Sequence, residues 1–409
     1  MMDIVQALIG ISAIFFIAWI SSTDRKKINW RTVLSAFALQ VFFAAMVLWF
    51  PWGKSVLLSI TNAVNSVIDY SQQGINFIFG DIGRQKLGFI FAFQVLPVIV
   101  FFSSLIAVLY YLGIMSKVIR IVGGFLHRVL GTSRAESMSA TANVFVGQIE
   151  APLVIKPYLP ILTRSELFTV MVGGLASVSG SVLAGFASIG VNLEYLIAAS
   201  FMAAPAGLLI AKILMPEIEA PHQNVDVARE VTQHANIIDA ASTGAINGLK
   251  LAANIGAVLL AFVGLIALLN GLLGGIGNWF GVENLSLQWL LGYAFQPVAY
   301  LMGVPWQEAS TAGSLIGQKI VINEFFAFLE FMKVSDTFSE KTQVIVTFAL
   351  CGFANFGSIA VLLGGLGSLA ENRRQDIARY GLKAVFAGTL ANLLSATIAG
   401  MFFSIAQAS

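Results

Sequence analysis

Apolar residues run along this chain in stretches of about 20, the length at which a helix crosses the hydrocarbon core of a bilayer. Eight stretches reach that length with few charges, at roughly 4–20, 33–50, 88–115, 167–190, 195–215, 251–273, 343–369 and 381–405. Trp19 ends the first, a residue suited to the membrane–water boundary, and Pro97 predicts a kink in the third. Two further segments alternate between the classes. Residues 53–79 set Val56, Leu57, Ile60, Val64, Val67 and Ile68 against Asn62, Asn65, Asp69 and Gln72. Residues 117–130 set Ile119, Ile121, Val122 and Phe125 against Arg120, His127 and Arg128. Both patterns predict amphipathic helices lying at the interface. The polar run 216–247, with Glu217, Glu219, His222, Asp226, Arg229 and Glu230, predicts a linker. It divides the chain into an N-terminal part (1–86), a first repeat (87–215), the linker (216–250) and a second repeat (251–409).

Residues 141–158 break the pattern. Gly147 and Pro152 interrupt an apolar context, and Asn143, Gln148 and Glu150 crowd its middle. A carboxylate at the centre of a spanning helix costs about 2.5–3.5 kcal/mol. Irregular backbone at membrane depth persists only where protein covers it or water reaches it. A plain membrane anchor therefore fits poorly, and a polar site within the bilayer fits well.

The broken stretch has a counterpart. One unit opens Gly131-Thr-Ser-Arg-Ala-Glu136 and continues to Gly147-Gln148-Ile149-Glu150; the other opens Gly303-Val-Pro-Trp-Gln-Glu308 and continues to Gly317-Gln318 and Asn323-Glu324. Each precedes a glycine-rich span with polar insertions, Gly174–Ser179 and Gly352–Ser358. Paired, interrupted apolar segments in corresponding positions mark the binding site of many secondary transporters. The expected architecture is all-α and polytopic: eight transmembrane helices, interfacial helices, and two opposed re-entrant hairpins at about 131–163 and 305–335, related as an inverted repeat. Asn355 with Ser358, and Ser177 with Ser181, are spaced to share helix faces. Glu136 and Glu308, at the hairpin entrances, read as helix-terminal structural residues, and Glu330 as a loop residue. Amide and hydroxyl side chains beside Glu150 and Glu324 suit a neutral ligand rich in hydroxyls and N–H groups, and would repel an anion.

Composition agrees: 57% of the 409 residues are hydrophobic and 11% charged, against about 25% charged in a soluble domain. The formal charge of +2 and the absence of a basic, aromatic-interleaved cluster exclude a nucleic-acid partner. Cys351 is the single cysteine, and His127, His222 and His234 have no metal-ligand spacing. The N-terminus lacks a basic segment and a cleavage site, so 4–20 reads as a retained span. With eight crossings, 17 of the 23 Lys and Arg fall on the linker's side, which places both termini outside the cytoplasm.

The run Gly147-Gln-Ile-Glu-Ala-Pro152, the preceding Thr132-Ser-Arg-Ala-Glu-Ser-Met-Ser139, Asn323-Glu-Phe325 and Gly352-Phe-Ala-Asn355 resemble the concentrative nucleoside transporters. The resemblance extends over nearly the whole chain, including Gly74–Gly80 and Ser21–Lys27. It implies a homotrimer in the cell (inner) membrane that imports nucleosides with sodium by an elevator-like movement, without cofactor or catalysis. It further implies that Gln148, Ile149, Glu150 and Val182 read the base, and that Glu324, Phe353, Asn355 and Ser358 hold the ribose. Asn143, Val146, Ser177 and Val178 would hold sodium. Relatives that use protons tend to lack the asparagine corresponding to Asn143, so its presence favours sodium over protons. Many relatives have Thr or Ser where this chain has Ile149, which leaves purine or pyrimidine preference open. Spans 195–215 and 251–273 are expected in the trimer scaffold. The rival classes are a proton-coupled symporter, an intramembrane enzyme using Glu150 or Glu324, and a channel.

Overall fold

The computed structural model describes residues 2–84, 86, 88–221, 234–282 and 285–408. Of the expected linker residues, His222, Asp226, Arg229 and Glu230 lie outside them. Among the described residues every regular element is helical.

The N-terminal part holds α1 (Met2–Ile20), α2 (Trp30–Leu48) and α3 (Pro51–Phe79). Asn29 starts α2 by accepting from the Arg31 and Thr32 N–H groups, and proline pre-set for helical φ starts α3. α3 buries only a stripe that includes Gly53, Leu57, Thr61, Ser71 and Ile75, as an amphipathic helix should. The third apolar run is split at Val95, two residues before Pro97, into α4 (Phe91–Gln94) and α5 (Leu96–Tyr111). The second amphipathic segment is α6 (Ile114–Leu130), bounded by Gly113 and Gly131 in left-handed conformation, φ 73° and 68°.

Then comes the first hairpin: α7 (Arg134–Ala142), a turn, and a 3-10 stretch over Ala151–Ile161. Its proline content (Pro152, Pro157, Pro160) removes the N–H groups that an α-helix needs. α8 (Arg164–Ala176) and α9 (Gly180–Ser188) follow as two halves of one apolar stretch, then α10 (Leu193–Leu214). After the linker come α11 (Ile237–Trp279) and α12 (Leu287–Leu301). The second hairpin is α13 (Trp306–Val321) and α14 (Glu324–Val334). The chain ends with α15 (Glu340–Leu350), α16 (Gly357–Gly364), α17 (Leu366–Leu369) and α18 (Arg374–Ala408).

Several sequence expectations change. The run 343–369 is not one helix but α15, a non-helical stretch at 351–356, and the short α16 and α17. α11 begins at Ile237, where Asn236 accepts from the Ile238 and Asp239 N–H groups at 3.0 Å, so the helix extends well into the expected linker. Glu330 lies on α14 and pairs with Lys333 at 2.5 Å. Ser177 and Ser181 do not share a helix face, because the helix is interrupted between them.

Seven helical stretches of the described residues are long and apolar enough to cross a membrane. Their burial separates them. Within the apolar 18-residue core of 164–188 and of 193–214, 94% of the residues are buried inside the molecule, against 17% in that of 237–279. α10 packs against α2, α8 and α18, while α11 packs along α5. α10 is thus enclosed by α2, α8 and α18, whereas much of α11 stays exposed.

Glu136 and Glu308 occupy terminal positions. Glu136 closes a capping box with Ser133 and pairs with buried Lys212 at 2.5 Å. Glu308 accepts from the Ser339 N–H and hydroxyl at 3.2 and 3.0 Å, joining the starts of α13 and α15.

Candidate functional site: two helix breaks meeting two hairpins

Hairpin 1 lies hard against α8. A Cβ on Gly173 would come 3.3 Å from Asn143 Nδ2, and one on Gly174 would come 2.8 Å from Gln148 Cβ. The paired glycines thus let the turn at 143–150 approach the end of α8. Asn143 is buried; its Nδ2 donates to Ser139 O at 2.9 Å, and its Oδ1 has no hydrogen-bond partner among the described residues. Ser139 Oγ is likewise buried and without one. α7 and α8 both end here, so two helix C-termini, each with partial negative charge, converge on neutral oxygens. That arrangement attracts a cation.

At the break itself Ser177 Oγ donates to Gly173 O at 2.8 Å. Ser179 caps α9 by accepting from Val182 N–H at 3.4 Å. The Gly180 N–H donates to Phe145 O at 3.0 Å, which ties the new half-helix to the hairpin.

The second repeat repeats this geometry. Phe356 N–H donates to Ile320 O at 3.1 Å, the same bond from break to hairpin. Gln318 donates from Nε2 to Ser314 Oγ at 2.9 Å and leaves a buried Oε1 without a hydrogen-bond partner. Ser139, Asn143 and Phe145 therefore correspond to Ser314, Gln318 and Ile320. This corrects the sequence pairing of Gly147-Gln148 with Gly317-Gln318.

Beyond the break, Asn355 Nδ2 donates to Glu324 Oε2 at 2.9 Å. The Ser358 N–H and hydroxyl donate to Asn355 Oδ1 at 2.9 and 3.2 Å. Asn355 precedes α16 and holds its first turn, rather than sharing its face with Ser358. Glu324, Asn355 and Ser358 thus form one bonded, buried cluster. The two breaks are themselves joined, because the half-buried Phe353 donates its N–H to Ser177 O at 3.1 Å.

A 450 Å³ cavity lies between hairpin 1, α5 and α11. Val146, Gly147, Glu150, Ser179 and Ser181 line one side, with Ser103, Ile106, Tyr110, Asn247 and Leu251 opposite. It reaches Lys156 and His234, on the linker's side of the molecule. Of the expected ligands only Val146 and Glu150 line it. Gln148 is buried against Gly174, Val182 and Val178 are buried, and Ile149 packs on Gly365 at the end of α16. Ser103, Tyr110 and Asn247 escape sequence reasoning, because isolated polar residues in apolar spans carry no motif.

Comparison with known proteins identifies the family. Residues 9–82 and 195–400 match the N- and C-terminal parts of a family described as Na+ dependent nucleoside transporter, and residues 92–192 match one described as nucleoside recognition, or gate. The chain belongs to the concentrative nucleoside transporter family. It is 50% identical to the nucleoside permease NupC of Helicobacter pylori over 98% of each chain. It is 45% identical to the putative nucleoside permease NupX of Escherichia coli, over 99% of this chain and all of the permease. A solved structure of CNTnw in an inward-facing, substrate-bound state matches with a TM-score of 0.95 at 53% identity, over 100% of this chain and 99% of that one. As a concentrative nucleoside transporter the chain is a multi-pass membrane permease, not an enzyme. The hairpins and broken helices lie in the matched regions, so the polar positions found inside apolar stretches belong to a transporter's interior.

Proposed function

We propose that the protein is a sodium-coupled symporter that imports nucleosides across the cell membrane. The observation that carries the reading is the buried Asn143 Oδ1, without a hydrogen-bond partner among the described residues, where α7 and α8 end together. A hard cation takes oxygen ligands, and Asn143 and Ser177 offer side-chain oxygens, with backbone carbonyls of Val146, Ser177 and Val178. Gln148, Ile149, Glu150 and Val182 form the nucleobase side. Glu324, Phe353, Asn355 and Ser358 form the ribose side. The Glu324–Asn355–Ser358 cluster supports the latter, since a carboxylate flanked by an amide and a hydroxyl matches a vicinal diol. The cavity is within the usual 300–1,000 Å³ of small-molecule sites.

Both hairpins are re-entrant and enter from opposite faces, and both termini lie outside the cytoplasm. Since the cavity runs toward the linker, this conformation opens to the cytoplasm. The hairpins, α8, α10, α15 and α18 move as one body, elevator-fashion, against α5 and α11 in a homotrimer. The exposed apolar length of α11 supports its place in the fixed part. One sodium ion crossing 100 mV supplies about 2.3 kcal/mol, roughly 40-fold accumulation.

Uptake of labelled uridine and adenosine into proteoliposomes, with sodium and proton gradients imposed separately, tests the proposal. A sodium gradient should drive uptake and a proton gradient should not. Uptake equal under both, or non-saturating and independent of any gradient, contradicts it.

A further inference from the structure

Two buried polar side chains lie between the halves of the site and belong to neither. Lys319, 1% exposed in the last turn of α13, donates from Nζ to Asn392 Oδ1 at 2.8 Å. Asn392, on α18, directs its amide nitrogen at two carbonyls, Ala176 O at 2.7 Å and Cys351 O at 3.2 Å. Ala176 is the last residue of α8, and Cys351 follows the last residue of α15. A single amide on α18 therefore pins both helix breaks, and hairpin 2 grips that amide through a lysine. The fit depends on Gly352, where a Cβ would overlap the Asn392 side chain.

Packing alone does not account for the lysine. Met would fill similar volume without the desolvation that a buried ammonium carries. The opposite charge acting on Lys319 is Glu324, on the ribose side. Hydrogen bonds therefore run from Ala176, next to Ser177, through Asn392 to Lys319, whose charge acts on Glu324 across space.

We propose that Lys319 and Asn392 are positioning residues that couple ion occupancy at the first break to nucleoside binding at the second. This rests on the sodium-symport reading. Sodium orders the end of α8, Asn392 follows through the Ala176 carbonyl, and Lys319 is held where it fixes the Glu324 carboxylate. Neither residue touches sodium or nucleoside.

The test is calorimetric binding of uridine to the purified full-length protein in sodium and in choline buffer. The wild-type affinity should fall by about tenfold or more without sodium, within the 5–150-fold range of such couplings. In Lys319→Met/Asn392→Leu, which removes both polar partners together, that ratio should drop close to one. Its sodium-free affinity should stay within about threefold of wild type, as expected for a coupling lost without loss of the site. Lys319→Met alone, which keeps both Asn392 bonds to carbonyls, should give an intermediate ratio; it also provides the readout if the double variant does not fold. A wild-type-like ratio in the variants overturns the coupling role while leaving sodium symport intact. A wild-type ratio of one overturns the sodium-symport reading itself, and with it any coupling for this pair to carry.

Discussion

In the first repeat, α7 and α8 end over Asn143 Oδ1 and Ser139 Oγ, neutral oxygens without hydrogen-bond partners among the described residues. In the second, α13 and α15 end near the ammonium of Lys319, held by Asn392. The backbone scheme is shared, since Gly180 N–H to Phe145 O and Phe356 N–H to Ile320 O are the same bond in both halves. The charge differs. Converging helix C-termini favour a cation, and the second repeat supplies one from its own chain whereas the first does not. In the proposed symporter, the repeat would yield one place for a mobile cation and one fixed positive charge, instead of two equivalent ion sites.

Variants can break or sharpen this contrast, and the largest effect belongs to the second repeat. Glu324→Gln removes the carboxylate that accepts from Asn355. Charge-assisted hydrogen bonds contribute about 1.5–3 kcal/mol, so calorimetry should show uridine binding weakened roughly 10- to 100-fold. Unchanged affinity would remove Glu324 from the site. In the first repeat, Asn143→Ala deletes the unpaired oxygen. The sodium concentration for half-maximal uptake should rise about tenfold, equivalent to 1.4 kcal/mol, and an unaltered sodium titration would count against the ion site. Lesser effects test the frame around both. Ser133→Ala removes the cap of α7 and should destabilise the protein by about 1 kcal/mol, seen as a lower midpoint in thermal unfolding. Smallest is Ile149→Thr, where a hydroxyl replaces the ethyl branch packed on Gly365. The ratio of uridine to adenosine affinity should shift by less than about tenfold, as for a single added hydrogen bond, with transport retained.

The contrast also explains what the sequence could reveal. Hairpin boundaries were legible because their signals are local. Ser133 with Glu136 forms a capping box, prolines fill 152–160, and Asn323 caps α14. The amphipathic α3 and α6 were legible from periodicity, with Gly113 and Gly131 marking the ends of α6. α12 was missed because its 15 residues are short for a span and Pro297 interrupts its pattern. Lys319 was not legible, since nothing near it in sequence indicates burial. Its partner lies 73 residues away on α18, and Asn392 in turn reaches Ala176 at a separation of 216. Such pairings arise only when the breaks come together. The register between repeats failed for the same reason. Gly147-Gln148 and Gly317-Gln318 match as letters, but the hydrogen bonds pair Gln318 with Asn143.

The central claim is that the first repeat takes one mobile sodium ion for transport while the second keeps its cation fixed. Simultaneous uptake of radioactive sodium and tritiated uridine into the same proteoliposomes measures this directly. The two labels should enter in a constant ratio across uridine concentrations, and Asn143→Ala should shift the uridine-dependent sodium entry to about tenfold higher sodium. Uridine accumulation without accompanying sodium would contradict the account.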